Sequence, residues 1–474
     1  MSGLFHTLTV GSEALLTTRQ GVDTAGHNIA NAQVDGYSRQ SVNIRQNDPL
    51  ETHGVLIGNG ASIASVTRSH DQFVENQINA TNQDSGRASA RADALKTIER
   101  VFSPLLNASV SDEVTKFFNT IQNLANFPTD ETIRTTVVEA GRDVATSFRR
   151  VDTDLRDNRG IVNDRIYDLV TSVNDQLQEI ARLNVKIQTS ETGVGTFAND
   201  LRDQRERLVR EVSKQVEIKY YEDQYGMLCV RGPDQVTLVE RNNAAKFGVQ
   251  RNFENDGQFD VTITDWDDHN TRNVTRRMDG GALEAFIRIR DDDIPGLLEK
   301  NNEMAYRFAQ EVNGVHRSGF GIGNFSESTG RNFFKISDSI KDAAANIDIE
   351  DIIATSNHSI SAASTALAPG DNVNLNAIIK LKDARMFSED GVNLNEFYAQ
   401  YTANLGMETQ RADHAKQSAD ILVEDLVKRR ESISGVSLDE EATNMMKWQA
   451  NFTASSKVIT TIDEMLDTVL SMKR

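Results

Sequence analysis

Both ends of this chain carry an apolar pattern that only a packed helix satisfies, and this constrains the fold more than any other feature. Near the N-terminus Leu4, Leu8, Gly11, Leu15, Thr18, Val22, Ala25 and Ile29 alternate in steps of four and three. Near the C-terminus Leu438, Met445, Phe452, Ile459 and Leu466 recur every seven residues, interleaved with Glu441, Trp448, Ser455, Ile462 and Val469. Most helical stability in proteins comes from packing such a stripe, so each terminal helix needs a partner. A stripe of this kind most often packs on the body of its own chain. Here the first is followed by Gly36, Asn47, Pro49, Gly54, Gly58 and Gly60, which read as a loop-rich segment separating it from the body. The ends therefore suit pairing with each other and with neighbouring copies.

A length of 474 residues exceeds what one core usually serves, so two to four domains are expected. With 38% apolar and 6% aromatic residues the chain is lean for a dense core but too apolar for disorder. Six prolines leave long stretches free to be helical, and elongated helix-rich domains fit best. A net charge of -19 without a Lys/Arg run of the kind that follows nucleic acid disfavours nucleic acid and anionic membranes, so no nucleic acid is expected as a partner. No apolar run approaches the roughly 18 residues of a membrane span, so no membrane insertion is expected. The N-terminus lacks the basic, apolar and cleavage regions of a signal peptide, which leaves a cytosolic protein or one exported uncleaved. Cys229 stands alone in Met227-Leu228-Cys229-Val230, a strand-like setting that reads as an inert core thiol.

Between 130 and 190 runs another helical pattern, with Val162, Ile166, Leu169, Val173, Leu177, Ile180, Leu183 and Ile187 on one face. Roughly 60 helical residues extend about 90 Å at the helical rise, which implies a rod. Leu95, Ile98, Val101, Phe102, Val114, Phe117, Phe118, Ile121 and Leu124 supply a packing partner. From about 216 to 280 apolar residues alternate, as in Val216-Ile218-Tyr220 and Phe259-Val261-Ile263, with turn signals between. Helical periodicity returns from Leu283 to Val312, breaks at Gly319, Gly321 and Gly323, and resumes from about 375. The expected fold is mainly α with an inserted β domain, its early and late segments meeting repeatedly.

No constellation for chemistry emerges, and the catalytic, cofactor and metal sets are expected to be empty. Histidines 6, 27, 53, 70, 269, 316, 358 and 414 are scattered singly, with no HxxxH pair or nearby cysteine. Asp265 to Asn270 begins like a calcium loop but lacks its glycine and closing glutamate. Arg290-Asp291-Asp292-Asp293 precedes Ile294-Pro295-Gly296 and reads as the cap of a helix starting at the proline. Gly319-Phe320-Gly321-Ile322-Gly323 follows a helix and lacks the Gly-Lys-Ser/Thr ending of a phosphate loop, so it reads as a turn.

Gly26-His27-Asn28-Ile29-Ala30-Asn31-Ala32 followed by Asp35-Gly36-Tyr37-Ser38-Arg39-Gln40 resembles the signature of the bacterial flagellar rod, hook and hook-associated proteins. The Tyr-Ser-Arg-Gln ending looks like that of the hook-associated protein 1 family, whereas rod and hook subunits more often place a lysine after the tyrosine. Further similar segments are Ala198 to Arg205, Gly280-Gly281-Ala282-Leu283, Arg290-Asp291 with Ile294-Pro295, Val312-Asn313 with His316, Pro369 to Asn372, and Gly435 through Leu466.

The resemblance implies a non-enzymatic, cofactor-free subunit that joins hook to filament, exported uncleaved through the flagellar type III apparatus and located outside the cell. Its implied partners are further copies in a helical layer, the hook subunit, a second hook-associated protein, and an export chaperone on the C-terminal helix. The implied assembly interface is Leu4, Leu8, Leu15, Val22, Asn28, Ile29, Asn31, Gly36, Tyr37, Met445, Trp448, Phe452, Ile459, Ile462, Leu466 and Val469, with Leu438, Met445, Phe452, Ile459 and Leu466 contacting the chaperone. The asparagines of the motif are expected to cap the first helix, while Gly36 supports a turn anchored by Tyr37. Three nested domains follow: residues 1–45 with 435–474 as an inner tube of paired terminal helices, 46–215 with 282–434 as a long-helix rod, and 216–281 as an outer β domain. Better-known members carry an additional outer domain for which this chain is too short. The alternatives are hook-associated protein 3 or the hook subunit, and, from another class, a cytosolic enzyme with a helical oligomerisation arm.

Overall fold

The computed structural model of the chain describes residues 2–52, 55–103, 108–193, 195–267, 270–387 and 391–472. His53, Gly54, Asp268 and His269 lie outside the described residues. Helix α1 (Ser2–Asn31) is followed by strands β1 (Gln40–Gln46), β2 (Leu50–Thr52), β3 (Val55–Ile57) and β4 (Ala61–Arg68). β1 pairs antiparallel with β4, and β2 with β3. The segment expected to be a loop is thus a two-stranded ribbon. It lies along α1: Asn47 Nδ2 donates to Glu13 Oε2 at 2.5 Å, and His6 Nε2 to Gly58 O at 3.3 Å. Gly60, at φ +71°, brings the ribbon so close that a Cβ there would lie 3.1 Å from Val10. The glycines and asparagines that suggested a loop are what let the ribbon lie close to the helix.

The body begins with α2 (Gln72–Glu99), α3 (Val110–Asn126), α4 (Glu131–Ser190) and α5 (Asn199–Gln215). Asp130 caps α4, accepting from the Thr132 and Ile133 amides, and a reciprocal Ser109/Asp112 capping box starts α3. The 60 residues of α4 run about 90 Å at the helical rise and bury Val144, Phe148, Leu155, Ile166, Leu177 and Ile180 on one stripe. Two antiparallel sheets follow, one of β5 (Lys219–Glu222), β6 (Leu228–Arg231), β7 (Thr237–Glu240) and β8 (Asn243–Ala244), the other of β9 (Lys246–Asn252), β10 (Gln258–Thr264) and β11 (Thr271–Asn273) with β10 central. Cys229 is buried in β6. Asparagines of α4 pin both sheets. Asn174 accepts from the Phe247 N–H and donates to its carbonyl, both at 2.8 Å, and Asn184 does the same to Leu228 at 3.0 and 2.9 Å.

Next come α6 (Gly281–Arg288) and α7 (Ile294–His316), joined by a π-helical turn, Ile289–Asp293. The acidic run therefore does not cap α7, because Asp293 is itself helical and its side chain binds Arg91 at 2.8 Å. Asp291 neutralises the fully buried Arg290 at 2.8 Å, which holds the wide turn together. Short elements complete this end: β12 (Phe334–Lys335), α8 (Ala343–Asn346), β13 (Asp348–Ile349), α9 (Asp351–Thr355) and α10 (Val373–Ile379). They close over an aromatic core of Phe117, Phe118, Phe148, Phe308, Phe333 and Phe334. Two long helices finish the chain, α11 (Leu394–Ser434) and α12 (Leu438–Ser471). α11 runs antiparallel to α2, joined by Ser85–Asp420, Asp93–Lys416 and Lys96–Asp413. Among the described residues no helix is long and apolar enough to cross a membrane.

His316 is fully buried at the end of α7. Its Nε2 accepts from the Ser361 N–H at 2.9 Å, so Nδ1 carries the proton and donates to Arg331 O at 2.8 Å. Burial pushes its pKa down to about 4, opposed by the hydrogen bond to the Arg331 carbonyl and aided by the charges of Arg331 and Arg134. The unfolded chain then takes up a proton between pH 6.5 and 4 that the folded chain refuses, so this stability is complete above pH 6.5 and declines as pH falls toward 4. Denaturant titrations are expected to show a loss of about 3 kcal/mol across that window, absent in His316→Gln.

Candidate functional site

α1 and α12 pair antiparallel. A Cβ at Gly11 would meet Ile459 at 3.0 Å, one at Gly21 would fall 2.4 Å from the Trp448 indole, and one at Gly26 would reach Met445 at 3.8 Å. Gly11, Thr18, Gly21, Ala25 and Asn28 of α1 are buried in steps of three, four and seven, with Thr17 and Thr24 buried beside them. Leu4, Leu8, Leu15, Val22 and Ile29 flank it and are half-buried. The large apolar residues thus border the seam, while the small ones open slots in it. Trp448 fills the slot at Gly21, a knob in a hole made by a missing side chain. On α12 Glu441 and Ile462 are buried, and Met445, Trp448, Ile459 and Leu466 half-buried. Leu438, Phe452 and Val469 remain exposed at 51%, 41% and 39%, as do Phe5 and Leu16 of α1.

Where this pair meets the body, the motif residues assemble a polar junction. Asn28, on the last turns of α1, accepts from the Gln40 N–H at 3.0 Å and donates to the Gln40 carbonyl at 2.8 Å, closing β1 onto the helix. Its remaining donor reaches Glu441 Oε2 at 3.1 Å, and its Oδ1 also accepts from the Tyr37 hydroxyl at 2.8 Å. All four valences of the amide are used, which an acid or an apolar side chain could not do. Asn28 is therefore a strand anchor and not the expected helix cap. Asn31 behaves more locally, donating back to His27 O at 2.9 Å.

Glu441 is 3% exposed and joins the chain ends, because its other oxygen accepts from Arg39 Nε at 2.8 Å. Arg39 also pairs with Glu440, and its N–H donates to Ser434 O at 2.8 Å. From α11, Arg430 reaches Glu75 at 2.7 Å, Gly36 O at 2.8 Å and Ser38 Oγ at 3.2 Å. Gly36 sits at φ +79°, a conformation that favours glycine, and a Cβ there would also meet the Arg210 guanidinium at 2.7 Å. α5 completes the junction: Asp203 accepts from the Ser38 N–H at 2.9 Å and from Arg68 at 2.7 Å, while Asp200 holds Gln40 at 2.7 Å.

The electrostatics follow from burial among acids. Burial, then Asp200, Asp203 and Glu441, push the Tyr37 phenol well above its ordinary pKa, so it stays a donor to Asn28. Burial raises Asp203 despite Arg68 beside it, whereas for Glu206 the pull of Arg68, His70 and Arg210 outweighs burial and lowers the pKa. Heptad reading had no means to find Arg68, Glu75, Asp203 or Arg430, whose partners lie far off in sequence. A signal existed for Asp203, which stands in the Ala198 to Arg205 segment.

The flagellar hook-associated protein FlgK helical domain family matches residues 95–334, and the flagellar basal body rod FlgEFG protein C-terminal family matches residues 430–472. The flagellar hook-associated protein 1 of Bacillus subtilis strain 168 is 26% identical over 99% of each chain, and that of Salmonella typhimurium strain LT2 is 23% identical over 100% of each. The flagellar hook junction protein FlgK from Burkholderia pseudomallei superposes with a TM-score of 0.68 at 14% identity, covering 76% of this chain and 100% of that one, a likeness of fold.

Gly21→Leu is expected to force Trp448 out of its slot, costing about 1–3 kcal/mol of pairing. Trp448 emission in a Trp266→Phe background should shift toward that of exposed indole. Leucine is the better helix former, so a more stable α1 with unchanged emission would show that the slot does not set the pairing.

Proposed function

The chain belongs to the flagellar hook-associated protein FlgK family, and from that premise we propose that it is a structural subunit of the bacterial flagellum, joining hook to filament. The observation that supports this best is the α1/α12 pair, which is anchored to the body through Asn28, Arg39 and Glu441 yet keeps Phe5, Leu16, Leu438, Phe452 and Val469 exposed. A two-helix pair with apolar residues on its outer faces gains from neighbours that bear the same faces, and contacts repeated head to tail build a helical layer.

In this reading residues 1–45 with 435–474 form the inner tube, 46–215 with 282–434 the rod and 216–281 the outer β domain. The buried Ile462 and the half-buried Leu4, Leu8, Leu15, Val22, Ile29, Met445, Trp448, Ile459 and Leu466 set the shape of each subunit's pair, and Phe452 and Val469 meet the next subunit. The hook subunit and a second hook-associated protein are the neighbours along the axis. The chain leaves the cell through the flagellar type III apparatus and resides in the flagellum at the hook–filament junction, with no catalytic role.

An export chaperone on Leu438, Met445, Phe452, Ile459 and Leu466 requires α1 to vacate the row, because Met445 and Ile459 pack on α1 glycines. The alignment to the Salmonella relative runs over 562 positions against 474 residues here, so that relative carries segments this chain lacks.

Deleting residues 1–35 or 436–474 should leave the body folded by circular dichroism and stop incorporation at the junction, scored by motility and electron microscopy of isolated flagella. Phe452→Ser should abolish incorporation with monomer stability lowered by only about 1 kcal/mol, since 41% of the residue's surface lies open outside the intramolecular seam. Normal filaments from either deletion would refute the reading.

A further inference from the structure

We propose that His70, Glu75 and Glu206 form a binding site for one divalent transition-metal cation, zinc by the character of its donors, beneath the junction. The three come from separate segments: the turn between β4 and α2, the first turn of α2, and the middle of α5. One donor atom from each lies within 4.8 Å of the other two, and His70 Nε2 is 3.5 Å from Glu206 Oε1. An imidazole nitrogen with two carboxylate oxygens is a donor set suited to zinc, with a water in the fourth position.

Proximity of acids would not suffice, and a second observation points to a ligand. Glu75 is 2% exposed, and its Oε2 is buried without a hydrogen-bond partner; Glu206 Oε2 is buried and unpartnered as well. Native proteins rarely leave such acceptors unmet, so each calls for an explanation. The opposite oxygens are held, Glu75 Oε1 by Arg430 Nε at 2.7 Å and Glu206 Oε1 by Arg68. Metal-binding carboxylates are fixed in this manner, one oxygen hydrogen-bonded by a second layer and the other free to ligate.

The guanidiniums of Arg68, Arg430 and Arg210 oppose a cation, while Glu75, Glu206 and Asp203 favour it. Arg210 Nε and one terminal nitrogen are likewise unpartnered, so the competing occupant is a water bridging Arg210 to the two free oxygens. Such a water needs no imidazole, and the convergence of His70 favours the metal. His70 would exchange its 3.2 Å contact with Gln72 Oε1 for the cation, and its side chain keeps 20% of its surface in solvent, which provides an entry path. A cation here would clamp α2 to α5 directly under the ion pairs that orient the terminal helices.

The test uses the full chain, stripped with EDTA and dialysed against zinc chloride. Elemental analysis should find one zinc per chain, and the thermal midpoint should rise to a plateau at one equivalent. His70→Ala spares both ion pairs and should weaken affinity by at least about a hundredfold, with the midpoint shift lost. Glu206→Gln should also lose binding, with circular dichroism confirming its fold. A chain that takes up no zinc, or a His70→Ala variant that binds as the parent does, overturns the proposal. So does a high-resolution map with only water between Arg210 and the two oxygens.

Discussion

One buried carboxylate, Glu441, holds together two ends of a chain 413 residues apart in sequence, through Asn28 on one side and Arg39 on the other. The direction of the paired helices relative to the body depends on this contact. Asn28 fixes where α1 ends and β1 begins, and Glu441 fixes where α12 leaves α11. Arg430, Asp203 and Arg68 tie the same turn to α11, α5 and β4. Buried charges of this kind contribute little net stability compared with apolar packing, but each becomes costly when its partner is lost, so the arrangement favours one geometry over its neighbours.

The side-chain amide of Asn28 acts as a piece of backbone, and the same device recurs on other helices. Asn174 and Asn184 of α4 pair with the backbones of Phe247 and Leu228, and Asn313 of α7 accepts from the Phe334 N–H at 2.9 Å and donates to its carbonyl at 2.8 Å. A helix cannot extend a sheet, because its own backbone groups are already paired. An asparagine on its surface offers one donor and one acceptor in amide geometry, so a strand can terminate against it without orphaned groups. Short sheets are thereby positioned along a helix of 60 residues that would otherwise offer them only an apolar stripe.

Except for the first part of α2, which was read only from about residue 90, the long helices were legible in the sequence, because apolar spacing repeats often enough to be unambiguous. The face of α4 was read as the structure buries it, whereas that of α1 was read only in part. Gly11, Thr18 and Ala25 stood in the stripe as read, but Gly21 and Asn28, which complete the seam, did not, since Trp448 and Ile459 arrive from a helix more than 400 residues away. The β1–β4 ribbon was read as a loop for a related reason: the residues that let it approach α1 are those that also make turns. The acidic run at 291–293 has the composition of a helix cap, and only the buried Arg290 and distant Arg91 show that it serves ion pairs instead. For the junction, the NIAN and GYSRQ segments marked the place, while the charges that complete it stand on other segments and carry no local pattern.

The central claim is that Asn28 and Glu441 act as one unit coupling the terminal helices to the body, and a double-mutant cycle tests it directly. Stability of Asn28→Ala, Glu441→Ala and the double variant would be measured by denaturant unfolding, with hydrogen exchange on α1 and α12 to locate the loss. A coupling energy of about 1–2 kcal/mol is predicted, with exchange rising in both helices in either single variant. Losses that add within about 0.3–0.5 kcal/mol, with exchange confined to the mutated helix, would contradict it.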